Sequence, residues 1–414
     1  MTLKKQKQEI QQGREIKLLY DKNKSKYGIL DTTKTGVIIS DGVVTTDEIM
    51  ASVDIGSKER VYKLRMGDGP YTVRYSISGD TVMYMGQEGV TSINTIGLSI
   101  NAERSLSDKV YDGTFLHSGS FYALAQSQAV YVYDKMGVEL HVIRGARGVR
   151  SLKFLQDHFL LATVSDNGYL RYQDTTIGKC VSEIKTKERD SSLEADRTNG
   201  VVYLTGQSGT VSLWSPRSPE YLSKVLCHRS RVRHCKVSDD GCMLYTGSKN
   251  EVKTWDIRNM FKPIQEMTLP GLVREMSISQ TGKLAVSQRS GVIVYNKHLH
   301  PEVQHSMGRD TAHSLTFMPY EDILTIGSTS GVENIIVPGS GRTVYRRHEN
   351  PNLSRKEKRN SEVRRILEKI PADLISLEND IGSEAKDLFE EEIVPMKHET
   401  PAGKVRRLMK LNYG

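Results

Sequence analysis

The side chains best suited to chemistry crowd into one stretch, Cys227, His228, His234, Cys235 and Cys242, with Arg229, Arg231 and Arg233 interleaved. Cysteine and histidine are the usual ligands of structural zinc, held in closely spaced pairs. No Cys-x-x-Cys pair occurs here, and the spacing fits no standard zinc site. His234 and Cys235 are neighbours in an alternating stretch, which sets them on opposite faces of a strand. Cys235 therefore reads as a small buried hydrophobe. What remains is a loop, His228-Arg229-Ser230-Arg231-Val232-Arg233-His234, with arginines at alternate positions. Guanidinium forks match phosphate oxygens, so the loop is either a phosphate contact or simply solvated.

Other catalytic signatures fail on inspection. Gly178-Lys179-Cys180 and Gly282-Lys283-Leu284 lack the hydroxyl and the upstream glycine of a phosphate-binding loop. No Gly-x-Ser-x-Gly elbow is present, and Gly339-Ser340-Gly341 is not followed by a third glycine at dinucleotide spacing. The expectation is a chain that is not an enzyme, with no cofactor, no metal and no small-molecule substrate.

The elements that hold these residues come from a repeat. A bulky residue closes a strand at Ile93, Tyr133, Tyr172, Trp214, Trp255, Tyr295 and Ile336, at spacings of 40, 39, 42, 41, 40 and 41. Each unit alternates as half-buried strands do, as in Val130-Tyr131-Val132-Tyr133 and Val292-Ile293-Val294-Tyr295. Turn residues separate the strands, among them Asp166-Asn167-Gly168, Asp239-Asp240-Gly241 and Thr281-Gly282. A period near forty with a terminal Trp255-Asp256 is the signature of a WD-repeat propeller. The spacing predicts an all-β fold: a seven-bladed WD-repeat β-propeller with partly helical extensions at both ends. Residues 60–345 form the propeller, 1–59 a basic N-terminal arm, and 346–414 a C-terminal extension. Closure removes exposed strand edges, and residues 60–65 are the expected sealing strand. The polar network common in such repeats is expected to be thin. His228, Thr246 and Trp255 can supply three of its parts, but Lys249 stands where the acid belongs, so apolar packing should hold most blades.

Charge is distributed unevenly. The chain has 58 Lys+Arg against 50 Asp+Glu, a net +8. Residues 1–28 carry +5, 341–370 carry +6, 371–400 carry −7 and 401–414 carry +4, which leaves residues 29–340 at zero. A neutral body with basic arms is suited to gripping a polyanion. Apolar residues at 37% supply a sizeable core. No stretch is apolar enough to span a bilayer, the N-terminus does not read as a secretory signal, and the four unpaired cysteines fit a reducing compartment. The chain is expected to be soluble and intracellular, with no membrane partner.

In the C-terminal extension, Ser354 with Glu357 forms a capping box that opens a helix ending before Pro371. Val363, Ile366, Leu367 and Ile370 recur at helical spacing as a protein-docking face. Arg355, Lys356, Lys358, Arg359, Arg364 and Arg365 occupy other faces as candidate RNA contacts. Lys4, Lys5, Lys7, Arg14 and Lys17 near the start, and Arg406 and Arg407 in the short basic element at the end, complete the expected RNA-binding set with Arg229, Arg231 and Arg233. No stacking-aromatic motif is present, so contact should be with backbone and shape. The acidic stretch 378–400 reads as a linker or partner-binding segment.

Several stretches carry a family resemblance: Tyr131-Val132-Tyr133-Asp134 with Gly137-Val138-Glu139-Leu140, DHFLLATVSDNGYLRYQD at 157–174, VSLWSP at 211–216 followed by Cys227-His228-Arg229, FMPYEDIL at 317–324, IIVPGSG at 335–341, and EVRRILEKIPADLI at 362–375. From about residue 10 to 381 the chain resembles the U-three-protein-seven and WD-repeat-protein-forty-six family. The block joining FMPYEDIL to the basic helix is specific, because ordinary WD repeats lack it. The resemblance implies a nucleolar, non-catalytic subunit of the small-subunit processome. Its partners would be other processome proteins, pre-ribosomal RNA and the U-three small nucleolar RNA. The alternative is a generic WD-repeat adaptor that touches protein alone.

Overall fold

The computed structural model describes residues 31–32, 42–344 apart from 54, 68, 96 and 290, and 354–375. All of these fall in one compact unit, residues 20–376. Each repeat of the sequence becomes one antiparallel sheet whose strands lie in chain order from the inside outward. The blades span residues 72–105, 110–143, 149–185, 193–226, 234–268, 275–306 and 312–336. The innermost strands of successive blades touch around the whole circle, from Thr72–Tyr75 back to Ala312–Phe317. The result is a seven-bladed propeller. All seven closing residues lie in the third strand of their blade.

Second strands show why the repeat is rich in small and branched apolar residues. Thr81–Met85, Leu160–Ser165, Leu284–Gln288 and Ile323–Ser328 are buried along their full length. A strand covered by a neighbouring blade on both faces cannot alternate, and reads as a continuous apolar run. Outer strands have one partner fewer and alternate visibly, as in Ser223–Leu226.

The ring seals as the sequence leads one to expect. Lys63–Arg65 is the fourth strand of blade 7, pairing antiparallel with Gly331–Ile336 through Leu64↔Val332. Lys63 Nζ meets Glu333 Oε2 at 2.7 Å. Gly331 is required by close approach: a Cβ there would stand 1.9 Å from the Leu64 carbonyl oxygen. The chain ahead of this strand covers blade 6. Val44–Thr45 adds a fifth strand, parallel to Pro301–Ser306. Helix α1, Thr46–Ser52, follows it and buries Ile49 among Val292, Val303 and Ile335. A short helix α2, Ile55–Lys58, leads into the sealing strand. Asp31–Thr32 pairs with Thr343–Val344.

Candidate nucleic-acid and protein interfaces

In blade 5, the Cys/His stretch resolves into structural roles. Cys235 is fully buried in a core cluster with Leu244, Trp255 and Val232. Cys227 joins the same cluster, and burial pushes its thiol up to about 12. Thiols held neutral in this way are poor metal ligands and poor nucleophiles. His228 Nε2 and Trp255 Nε1 both lie 2.9 Å from Thr246 Oγ1. His228 Nδ1 faces Glu251 Oε2 at 3.4 Å. The three expected parts of the polar network are therefore assembled. The acid is Glu251, supplied from the strand itself, while Lys249 points into solvent. Burial lowers the His228 pKa, and Glu251 only partly opposes it. Blade 4 keeps a reduced version, with Trp214 Nε1 donating to Ser212 Oγ at 2.8 Å. Blade 2 substitutes Gln126 Nε2 donating to Tyr133 OH at 2.9 Å.

The arginines of this stretch behave differently from its cysteines. Arg229, Arg231 and Arg233 are exposed and make no ion pair with the described residues. Arg231 donates to the Asp190 carbonyl of the preceding crossover. Val232 between them is buried, so the alternation that exposes the guanidiniums also anchors the loop.

Helix α3, Arg355–Leu367, begins at Ser354 with both arms of the capping box formed. Such a cap is worth about 1 kcal/mol. Lys356, Arg359 and Arg364 are exposed, and Arg365 is half-buried near His117, whose pKa is lowered first by burial and then by Arg365. Only the helical backbone is described at Arg355 and Lys358. Lys4, Lys5, Lys7, Arg14, Lys17, Arg406 and Arg407 lie outside the described residues.

The apolar face of α3 divides between two fates. Val363, Ile366 and Leu367 are 55%, 50% and 79% exposed, so three of the four expected docking residues face outward. Ile370 lies past the helix end and is fully buried on blade 3. Its amide donates to the Asp157 carbonyl at 2.9 Å, and its own carbonyl is 3.1 Å from His158 Nδ1. Lys369 pairs with Asp174 and lies 2.9 Å from Thr176 Oγ1. Five residues on, Ile375 enters the core of blades 3 to 5, and its carbonyl accepts from Ser215 Oγ at 2.6 Å. Burying two isoleucines contributes about 4 kcal/mol before the cost of ordering the chain. The segment 369–375 thus pins the root of a cationic helix to the ring.

Sequence reasoning missed a second charged feature. The innermost strands carry Arg74, Asp112, Lys153, Glu194, Lys236, Glu275 and Thr316, one per blade in order. Signs alternate around the circle. Arg74 meets Asp112 at 3.0 Å. Glu194 is shared by Lys153 at 3.0 Å and Lys236 at 2.9 Å, and Glu275 faces His234 at 3.4 Å. An odd ring cannot alternate throughout, and Thr316 occupies the neutral place, donating to the Val73 carbonyl at 2.8 Å. Burial pushes the Glu194 carboxyl up, but the two lysines more than reverse this and hold it at about 2. Burial lowers both Lys153 and Lys236, but at Lys236 the carboxylates of Glu194 and Glu275 outweigh it and carry the ammonium above its ordinary value. This belt neutralises itself. A signal for it existed, namely charged residues recurring at the repeat period on first strands, but its pairing depends on ring closure.

Among the described residues, no group of three or more His, Cys, Asp or Glu side chains could hold a metal ion, and no helix is long and apolar enough to cross a membrane.

Comparison with known proteins fits this architecture. A WD domain, G-beta repeat model matches residues 220–256, and the BING4CT (NUC141) domain model matches residues 301–378. The second span runs from the outer strand of blade 6 through blade 7 and α3 to the pinning segment. Solved structures of similar shape include Chaetomium thermophilum Raptor, at TM-score 0.59 and 16% identity, covering 66% of this chain and 28% of that one. The β-propeller domain of Myceliophteria thermophila Cps50 (Swd1) matches at TM-score 0.60 and 13% identity, over 66% of this chain and 98% of that one. At such identities the likeness is one of fold. Human WD repeat-containing protein 46 is 34% identical over 379 residues, covering 88% of this chain and 60% of the relative. The Saccharomyces cerevisiae U3 small nucleolar RNA-associated protein 7 is 35% identical over 367 residues, covering 82% of this chain and 66% of the relative. The chain thus spans about three fifths to two thirds of these relatives' lengths. A propeller sealed by its own N-terminal side, a BING4CT segment that pins a capped basic helix to it, and this level of identity place the chain in the family of WD repeat-containing protein 46 and U3 small nucleolar RNA-associated protein 7.

Proposed function

We propose that the chain is a non-catalytic structural subunit of the nucleolar particle that assembles the small ribosomal subunit. In this reading the propeller, residues 60–345, is the protein-bearing scaffold. The N-terminal arm 1–59 and the extension 346–414 hold pre-ribosomal RNA, the U3 small nucleolar RNA and neighbouring subunits. One observation carries the proposal. The family-specific segment 301–378 is the one that fastens α3 to the ring with Lys356, Arg359 and Arg364 exposed. The name of the yeast relative, which is associated with U3 small nucleolar RNA, supports RNA as the polyanion.

The test is depletion in cells, followed by rescue with this chain. Uncleaved precursor of the small-subunit ribosomal RNA should accumulate on depletion and clear on rescue; unchanged processing would remove the proposal. A generic protein adaptor is the second reading, favoured by the outward Val363, Ile366 and Leu367. Affinity capture with and without ribonuclease separates the two, since an adaptor keeps every partner after RNA is destroyed.

A further inference from the structure

Strand direction sorts the loops of the ring by face. Because strands alternate in direction within each blade, crossovers between blades share one face with the second-to-third strand turns. The first-to-second strand turns lie on the opposite face, and so does the pinned segment, which rests on Asp157 and His158 of such a turn. The crossovers 144–148 and 227–233 hold Arg144, Arg147, Arg229, Arg231 and Arg233 and no acidic residue. All five are exposed, and none makes an ion pair with the described residues. The crossover between them, 186–192, balances Lys187 and Arg189 against Glu188 and Asp190. Glu188 is itself committed to Lys224 at 3.0 Å. The Arg231 bond to the Asp190 carbonyl joins two of these crossovers into one surface. On the opposite face the corresponding turns 238–242 and 318–322 each hold two acids. A cleft of about 430 Å³ is lined by Arg144 and Arg147 together with Gln128, Tyr131 and one acid, Glu139.

We infer that the crossover face over blades 2 to 5 is a second RNA site, in which the ring itself grips a phosphate backbone on the side away from α3. This rests on the proposed role in an RNA-containing particle, and it adds Arg144 and Arg147 to the contacts. Arginine forks that are not committed to an ion pair bind phosphate oxygens in pairs. Lone exposed charges that served only solubility would be interspersed with acids, as they are in the 186–192 crossover. With Tyr131 the single aromatic of the cleft, recognition is of backbone and not of base sequence. The ring then has RNA on one face and a pinned basic helix on the other, which lets it bridge two RNA segments.

The experiment uses the full chain and a labelled oligouridylate, with affinity measured across about 0.05 to 0.2 M salt. Alanine at all five arginines should weaken binding about tenfold or more, and should reduce the salt slope by about 3.5 at roughly 0.7 per lost single-strand contact. A second variant, Arg144→Glu with Arg147→Glu, touches only the 144–148 crossover and should still lower the slope. An α3 variant, Lys356→Ala with Arg359→Ala and Arg364→Ala, should lose its own share and leave the effect of the ring variants intact. Unchanged slopes in both ring variants overturn the inference. So does a loss confined to poly-glutamate, which would assign the face to acidic protein. Neither outcome touches the proposed function, which stands or falls on precursor processing.

Discussion

Two sets of charges on the same ring have opposite fates. The belt of Arg74, Asp112, Lys153, Glu194, Lys236 and Glu275 is turned inward and paired across blade boundaries. The arginines of crossovers 144–148 and 227–233 sit at the ends of strands, exposed and without ion-pair partners among the described residues. Removing a charge from water is costly unless an opposite charge replaces the solvent, so the innermost strands carry charge as an alternating set, interrupted at the neutral Thr316. At the rim water does that work, and an unpaired guanidinium remains available to a partner. Net charge is therefore a poor guide to binding here. Residues 29–340 sum to zero, yet two crossovers on one face of the ring carry five arginines and no acid.

Breaking the belt should have the largest effect. Glu194→Gln leaves Lys153 and Lys236 without their shared carboxylate and should lower stability at neutral pH by about 3 kcal/mol, read from the urea midpoint. Its pH dependence is a separate check. Glu194 is held at about 2 against an ordinary 4.5, so its contribution is complete above the higher value and is lost as pH falls toward the lower. The variant should show a flatter acid limb across that window, and an equally steep one would mean the belt is not what stabilises the ring.

The pinned segment comes next. Ile370→Ala should cost about 2 to 4 kcal/mol of local docking, seen as faster amide exchange over 369–375 with a smaller shift in the melting of the ring. His158 sharpens the point. Burial draws its pKa down to about 4 from 6.5, so docking should be strongest above the higher value and weaken as pH falls through the lower, where His158 gains a proton. Exchange over 369–375 that does not accelerate on acidification would exclude His158 as a determinant of docking.

Thr246→Val removes the atom on which His228 and Trp255 converge and should cost about 1 to 2 kcal/mol. Trp255 and Trp214 are the two tryptophans of the chain, so the change is visible in fluorescence. Smallest of all, alanine at Arg229, Arg231 and Arg233 should alter stability by no more than about 0.5 kcal/mol. A melting temperature lowered as far as in the belt variant would erase the distinction between the two sets of charges.

Much of this architecture can be read locally. The seven closing residues and the Ser354 capping box depend on neighbours within one strand or one helical turn, and the sealing strand shows by its place just ahead of the first repeat. Each appears in the folded chain where its pattern places it. The propeller class was legible for the same reason, because a repeat states its own period. The acid of blade 5 reads as missing because Lys249 holds the turn position, whereas a strand neighbour, Glu251, supplies the carboxylate. Ile370 belonged to the apolar stripe of the helix by spacing. The chain turns before Pro371, however, and delivers Ile370 to the ring while Val363, Ile366 and Leu367 stay outside.

Residue order thus set the number of blades, the helix and its cap, and the concentration of charge toward the ends, since each is a matter of period, of chemistry a few residues apart or of simple counting. Closure of the ring decided the rest. Only when residues some forty positions apart become neighbours does Glu194 meet both lysines, and only the folded ring offers Ile375 a core 160 positions back along the chain, because those partners are assigned by the geometry of a circle and not by distance along the chain.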